Sequence, residues 1–109
     1  MNAGGRLVSL AGAGWADDAP GIRARAVEGV DGRRFAIVEY GPGAAREDWC
    51  LDGHYGIVLV GEIEYHFDDG SPSLRVAAGD ALWLVGGGPA HQGHNVAAGA
   101  TTIFLIDPV

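Results

Sequence analysis

Tyr55-Gly56-Ile57-Val58-Leu59-Val60-Gly61-Glu62-Ile63-Glu64-Tyr65-His66-Phe67 is the stretch on which the fold turns. Its first half is a short and almost wholly apolar run, entered through the turn pair Asp52-Gly53. Its second half alternates strictly, with Ile63, Tyr65 and Phe67 on one face and Glu62, Glu64 and His66 on the other. Neither half carries the 3.6-residue recurrence of a helix. The pair therefore predicts two β-strands, 55–60 and 62–67, the second closed by Asp68-Asp69-Gly70. With Ile63, Tyr65 and Phe67 in the core, His66 points outward.

The same punctuation continues in both directions. Arg34 to Tyr40 reads as a buried strand ending at Gly41-Pro42-Gly43. Ser73 to Ala77, Ala81 to Val85 and Thr101 to Ile106 follow, divided by Gly79-Asp80, by Gly86-Gly87-Gly88-Pro89 and by Ala97 to Ala100. Strands recurring every ~8–12 residues with turn chemistry between them predict an all-β sandwich or barrel. Only Ala11 to Ala19 has a helix-like composition, and its glycines and Pro20 argue against a helix. Residues 1–20 are expected to form an arm or edge strand, with the edge strand near Leu7 to Leu10, and residues 21–109 the barrel. Such an arm suits pairing with a second copy, so a homodimer is expected.

Composition narrows the function classes. The chain has 109 residues, room for one domain, and 19 glycines scattered without a collagen period. Its net charge of −7 and lack of a Lys/Arg cluster speak against nucleic acid and anionic membranes as partners. No apolar stretch approaches the ~20 residues that span a bilayer. The N-terminus lacks the pattern of a secretion signal, and Cys50 has no second cysteine to bridge, which fits a reducing compartment. A cytoplasmic protein acting on, or binding, a small molecule is the expectation.

Two stretches carry the chemistry. The first is Asp48-x-Cys50-x3-His54-x6-Gly61, preceded by Gly41-Pro42-Gly43. The second is Gly79-x6-Gly86-x-Gly88-x2-His91-x3-Asn95. Their spacing resembles the two motifs of the cupins, jelly-roll β-barrels whose first motif carries His-x-His followed by Glu between glycines, and whose second ends in His-x-x-x-Asn. Asp48-Trp49-Cys50-Leu51-Asp52-Gly53-His54 is also similar to a subgroup of small cupins with a Trp-Cys-x-x-Gly-His signature. The resemblance implies a single-domain cupin barrel with a site inside it. The ligand places of the first motif hold Asp48, Cys50 and His54 instead of His, His and Glu, and only His91 keeps the family residue.

The residues themselves point the same way. Asp48 and Cys50, two apart on a strand, share a face, and the Asp52-Gly53 turn is expected to fold His54 back against them. A thiolate, a carboxylate and imidazoles are good ligands for Zn, Fe, Ni or Cu and poor ones for Mg or Ca. Cys50, His54 and His91 are the expected metal ligands. Asp48 is a candidate catalytic base, or else a solvated residue at the barrel mouth. His94, three residues from His91, is expected to face away from the site. Trp49, Tyr55, Trp83 and Tyr40 are candidates for contact with a small organic ligand, against the plainer reading of Trp49, Tyr55 and Trp83 as core packing. A metal-dependent enzyme of oxygenase, isomerase or lyase type is favoured. A non-catalytic cupin holding a metal or metabolite in a structural or regulatory role is the alternative, and thiol chemistry at Cys50 ranks last.

Overall fold

The computed structural model describes residues 4–108. Nine strands follow in chain order: β1 (Ala16–Ala19), β2 (Ile22–Val30), β3 (Arg33–Tyr40), β4 (His54–Val60), β5 (Glu62–Phe67), β6 (Leu74–Ala77), β7 (Ala81–Leu84), β8 (His91–Asn95) and β9 (Thr101–Asp107). They form an antiparallel six-stranded sheet, β1-β2-β3-β9-β4-β7, facing a three-stranded one, β6-β5-β8. Residues 45–50 extend the smaller sheet as an irregular lane beside β8. Bridges pair Ala45 with His94 and Cys50 with His91, and the Arg46 N–H donates to the Gly93 carbonyl at 2.9 Å. The result is an all-β jelly roll, with no helix among the described residues.

The core lies between the sheets. Ile22, Ala36, Val38, Val58, Leu84 and Ile103 from the larger sheet meet Ile63, Tyr65 and Val76 from the smaller one, all buried. Each fully buried aliphatic side chain contributes about 1.5–3 kcal/mol of apolar transfer, which suffices to dictate the phase of every central strand.

The chain changes sheets at Gly61, between β4 and β5. Its φ is +85°, and a Cβ there would lie 2.2 Å from the Thr101 hydroxyl, so only glycine fits this corner. Buried Thr101 accepts from the Glu62 N–H at 3.0 Å and lies 2.8 Å from Asn95 Oδ1. The Asn95 amide in turn donates to the carbonyls of Gly41 (2.8 Å) and Gly99 (2.9 Å), closing one end of the barrel.

The amino-terminal part differs from expectation. Leu7 to Leu10 form no strand; the edge strand is β1, which pairs with β2 through Ala16–Ala24 and Asp17–Arg23. Trp15 just before it is held between the guanidinium groups of Arg23 and Arg25, 4.2 and 4.4 Å from its ring centroid. β2 itself was not anticipated. It alternates Ile22, Ala24 and Ala26 inward with Arg23 and Arg25 outward, and turns into β3 through Asp31-Gly32, both at positive φ. That is the two-residue hairpin turn matched to strand twist.

Candidate metal centre

Three ligand-type side chains converge between the sheets. Cys50 Sγ, a His54 ring nitrogen and a His91 ring nitrogen all lie within 4.8 Å of one another. Cys50 and His91 come from the smaller sheet, where their backbones exchange two hydrogen bonds of 2.9 Å. His54 opens β4 in the larger sheet. The segment Leu51 to Gly53 thus crosses between sheets and is not the expected hairpin turn. Gly53 packs against the end of β7, where a Cβ would sit 3.0 Å from the Gly86 nitrogen. The cluster faces a cavity of about 520 Å³.

His54 is oriented by a residue the motif comparison does not contain. Its Nδ1 lies 2.5 Å from Asp107 Oδ1. The β4–β9 register, Gly56 opposite Leu105, brings the next inward pair, His54 and Asp107, side by side. Burial opposes the Asp107 charge, but the His54 hydrogen bond and the His54 and Arg34 charges outweigh it and hold the carboxyl below its usual range. An Nδ1–H donated to Asp107 leaves the lone pair on Nε2, the atom 3.9 Å from Cys50 Sγ. That tautomer is the one a metal needs.

His91 is 5% exposed, and burial, reinforced by the neighbouring His54, pushes its pKa down to about 4. It is a neutral imidazole at physiological pH. The rings of His54 and His91 meet edge to face at 5.2 Å, and Tyr65 packs edge to face against His91 at 5.8 Å. Burial also raises the Cys50 thiol, only partly offset by a backbone hydrogen bond from Asp52. Without a cation the sulfur is therefore a protonated thiol and a poor nucleophile. The donor set, two imidazoles and one sulfur that a cation would deprotonate, fits a first-row transition metal.

The remaining candidates separate by face. Asp48 lines the cavity at its exposed mouth and does not join the ligand cluster. Trp49, 49% exposed, lines the same mouth, and buried Tyr40 lines the cavity from β3. Tyr55 and Trp83 do not reach the cavity. They sit opposite each other on β4 and β7, but the inward phases belong to His54, Gly56 and Val58 and to Leu82 and Leu84. The two rings are left 52% and 65% exposed on the outer face, so core packing does not describe them either. His94 faces away from the site as expected and stacks on His66 at 4.2 Å, while Glu64 holds His66 Nε2 at 2.6 Å. His66 is partly exposed, on the face opposite Ile63 and Tyr65.

Asp107, Arg46 and Tyr65 were missed as site residues. Asp107 had a signal, since Ile103, Leu105 and Asp107 share one face of β9 and a carboxylate ends an apolar row. Tyr65 looked like core and is core, yet its ring edge borders the cavity.

No protein-family model and no curated protein matches the sequence. Solved structures do match. KdgF from Halomonas sp. superposes with a TM-score of 0.74 at 20% identity, over 96% of this chain and 94% of that one. The polyketide cyclase RemF from Streptomyces resistomycificus gives 0.73 at 14% identity, over 94% and 78%. An oxalate oxidase gives 0.72 at 21% identity, over 96% of this chain and 61% of that one. The Schizosaccharomyces pombe Cnp3 cupin domain has the same architecture, with a TM-score of 0.73. The chain is a small single domain of the cupin fold, with a Cys/His/His cluster able to hold a metal ion.

Proposed function

We propose that Cys50, His54 and His91 bind one divalent transition metal, Zn, Fe, Ni or Cu, and that the cavity beside it takes a small organic molecule as substrate. The observation that carries this reading is the His54–Asp107 contact of 2.5 Å, a carboxylate fixing the tautomer of a histidine that faces two other ligands. A bound cation would supply Lewis acidity toward a substrate oxygen or water. Three protein ligands leave coordination room for that oxygen. Asp107 keeps His54 Nε2 aimed inward, burial keeps His91 neutral, and Tyr65 backs the His91 ring. Asp48, exposed at the mouth, would take a proton from a substrate that projects outward, and Trp49 and Tyr40 would contact its organic part. That two structural neighbours are named as enzymes, an oxidase and a cyclase, supports turnover over passive binding.

The same reading includes a homodimer and a cytoplasmic setting. Tyr55, Ile57, Leu59, Trp83 and Val85 lie on the outer face of neighbouring strands or at their ends, each 37% exposed or more. Apolar patches larger than a few hundred Å² are rare on monomers, and a standard interface uses about 800 Å² per partner. A second copy covering this face accounts for it, and the lone thiol suits a reducing compartment.

The test is elemental analysis of untagged protein purified without chelator, beside a His54→Ala/His91→Ala double variant. Near one equivalent of a single transition metal in the wild type, absent from the variant, is the expected result. A folded wild type that contains no metal and takes up none of Zn²⁺, Fe²⁺, Ni²⁺ or Cu²⁺ would leave a metal-free binding barrel.

A further inference from the structure

One wall of the cavity holds an excess of hydrogen-bond donors with no acceptor among the described residues. Tyr65 is 3% exposed and lines the cavity, yet its hydroxyl makes no hydrogen bond among the described residues. Buried Tyr40 accepts at its hydroxyl oxygen from Arg46 Nε at 3.1 Å, so its own proton points elsewhere, and its hydroxyl donates to none of the described residues. Arg46 uses Nη2 on Asp18 Oδ2 at 2.6 Å and Nε on Tyr40, which leaves Nη1 without a partner among the described residues. The two phenols converge over Gly93, where a Cβ would fall 2.7 Å from the Tyr40 oxygen and 3.2 Å from the Tyr65 ring. The absence of a side chain at Gly93 keeps that space open. Burial raises both tyrosines, so both hydroxyls remain protonated donors across the physiological range.

These donors open onto the cavity and are not sealed in the core, where Arg25 Nε alone lacks a partner among the described residues, so water or a ligand in the cavity must receive them. Two hydroxyl donors and one guanidinium N–H lining one cavity match a group with several acceptor lone pairs and a negative charge. We propose that Arg46, Tyr40 and Tyr65 form an oxyanion subsite beside the Cys50–His54–His91 cluster, and that the substrate is a small monocarboxylic acid whose carboxylate binds there. The proposal deepens the function proposed above and rests on it for the neighbouring metal. The exposed acids Glu47, Asp48 and Asp52 at the mouth repel phosphate esters and polycarboxylates, which restricts the ligand to a single negative charge.

The experiment is isothermal titration of acetate, pyruvate and benzoate, with pyruvamide and inorganic phosphate as controls, into metal-loaded and chelator-treated protein. Wild type, Tyr65→Phe and Arg46→Gln are compared, with metal content measured on each. Saturable binding of at least one carboxylate is expected, with pyruvamide and phosphate weaker than pyruvate. Each substitution should weaken carboxylate binding about tenfold or more and leave metal stoichiometry unchanged. Tyr65→Phe removes a hydroxyl with no protein partner, so it should fold as the wild type does, and its thermal melt checks this. Carboxylate binding that persists without metal and still depends on Arg46 and Tyr65 supports the subsite even if the metal reading fails. Failure of all three carboxylates to bind, or binding that folded Tyr65→Phe and Arg46→Gln leave unchanged, overturns the subsite while the metal result stands alone.

Discussion

Removing the carboxylate of Asp107 probes the site without touching a ligand. In Asp107→Ala, His54 Nδ1 loses its carboxylate partner, a contact of 2.5 Å, and the ring can rotate or carry its proton on Nε2. Either takes the Nε2 lone pair away from Cys50 and His91. Carboxylates that orient metal-bound histidines typically matter about 10–100-fold in metal affinity, or roughly 1.4–2.7 kcal/mol. The upper part of that range applies here, because Asp107 is half-buried and Arg34 Nη1, 3.6 Å from its other oxygen, already fixes its position. Asp107→Asn should fall between wild type and alanine. An amide oxygen still accepts from Nδ1–H, but without the charge, and a flipped amide would donate to Nδ1 and force the wrong tautomer. Competition of Zn²⁺ and Ni²⁺ against a chelating fluorophore measures this directly, with His54→Ala as the reference for a lost ligand. Wild-type affinity in both Asp107 variants, alongside a clear loss in His54→Ala, would refute the claim that Asp107 orients the ligand.

Other substitutions test the frame and the surfaces. Asn95→Ala should cost about 2–4 kcal/mol in urea unfolding, since it removes the amide donated to the Gly41 and Gly99 carbonyls and the oxygen that receives the Ala97 N–H and the Thr101 hydroxyl; a loss below ~0.5 kcal/mol would show that the barrel end closes without it. Burial raises Tyr65 and Tyr40 above 10.0, so the unfolded chain releases these protons first, and stability should be full below pH ~10 and fall as pH rises beyond it. Tyr65→Phe should weaken that alkaline fall, and phenolate absorbance from both residues should appear together with unfolding. With its thiol raised by burial, Cys50 of chelator-treated protein should alkylate at pH 7 more slowly than glutathione; fast labelling would revive a thiol mechanism. Trp83→Glu should turn the dimer into a monomer in sedimentation velocity, and a wild type that is already monomeric at high concentration would sink the pairing face.

Much of the barrel was legible because burial imposes a period of two. β3, β4, β5, β7 and β9 lie within a residue of their expected bounds, since Val38, Val58, Ile63, Leu82 and Ile103 are large enough to mark an inward phase. β2 escaped because its inward row is Ile22, Ala24 and Ala26, and alanine signals neither a strand nor a core. Its Asp31-Gly32 turn was the stronger clue. Leu7 to Leu10 looked like an edge strand from local hydrophobicity, but Leu7 is 84% exposed and no strand among the described residues pairs with it. Asp52-Gly53 had the chemistry of a hairpin turn, yet the pull of two separate sheets on Cys50 and His54 drew it straight.

The site divides along the same line. Cys50, His54 and His91 were readable from spacing, because His54 and His91 each open a strand whose phase the core sets and Cys50 lies four residues before His54. Asp107, Arg46 and Tyr65 were not, because each is defined by what lies across the barrel from it. The sheet register brings Asp107 to His54, and the irregular lane beside β8 brings Arg46 to Tyr40. Sequence spacing thus finds residues that share a strand or a loop, and misses those that meet only after the sheets close. Here the second group orients the first and supplies the donors left without acceptors. Those donors distinguish this cavity from a metal site alone, and Tyr65 sharpens the point. The Tyr65 hydroxyl bonds none of the described residues and opens onto the cavity, so its proton is available to whatever oxygen, water or ligand, occupies that space.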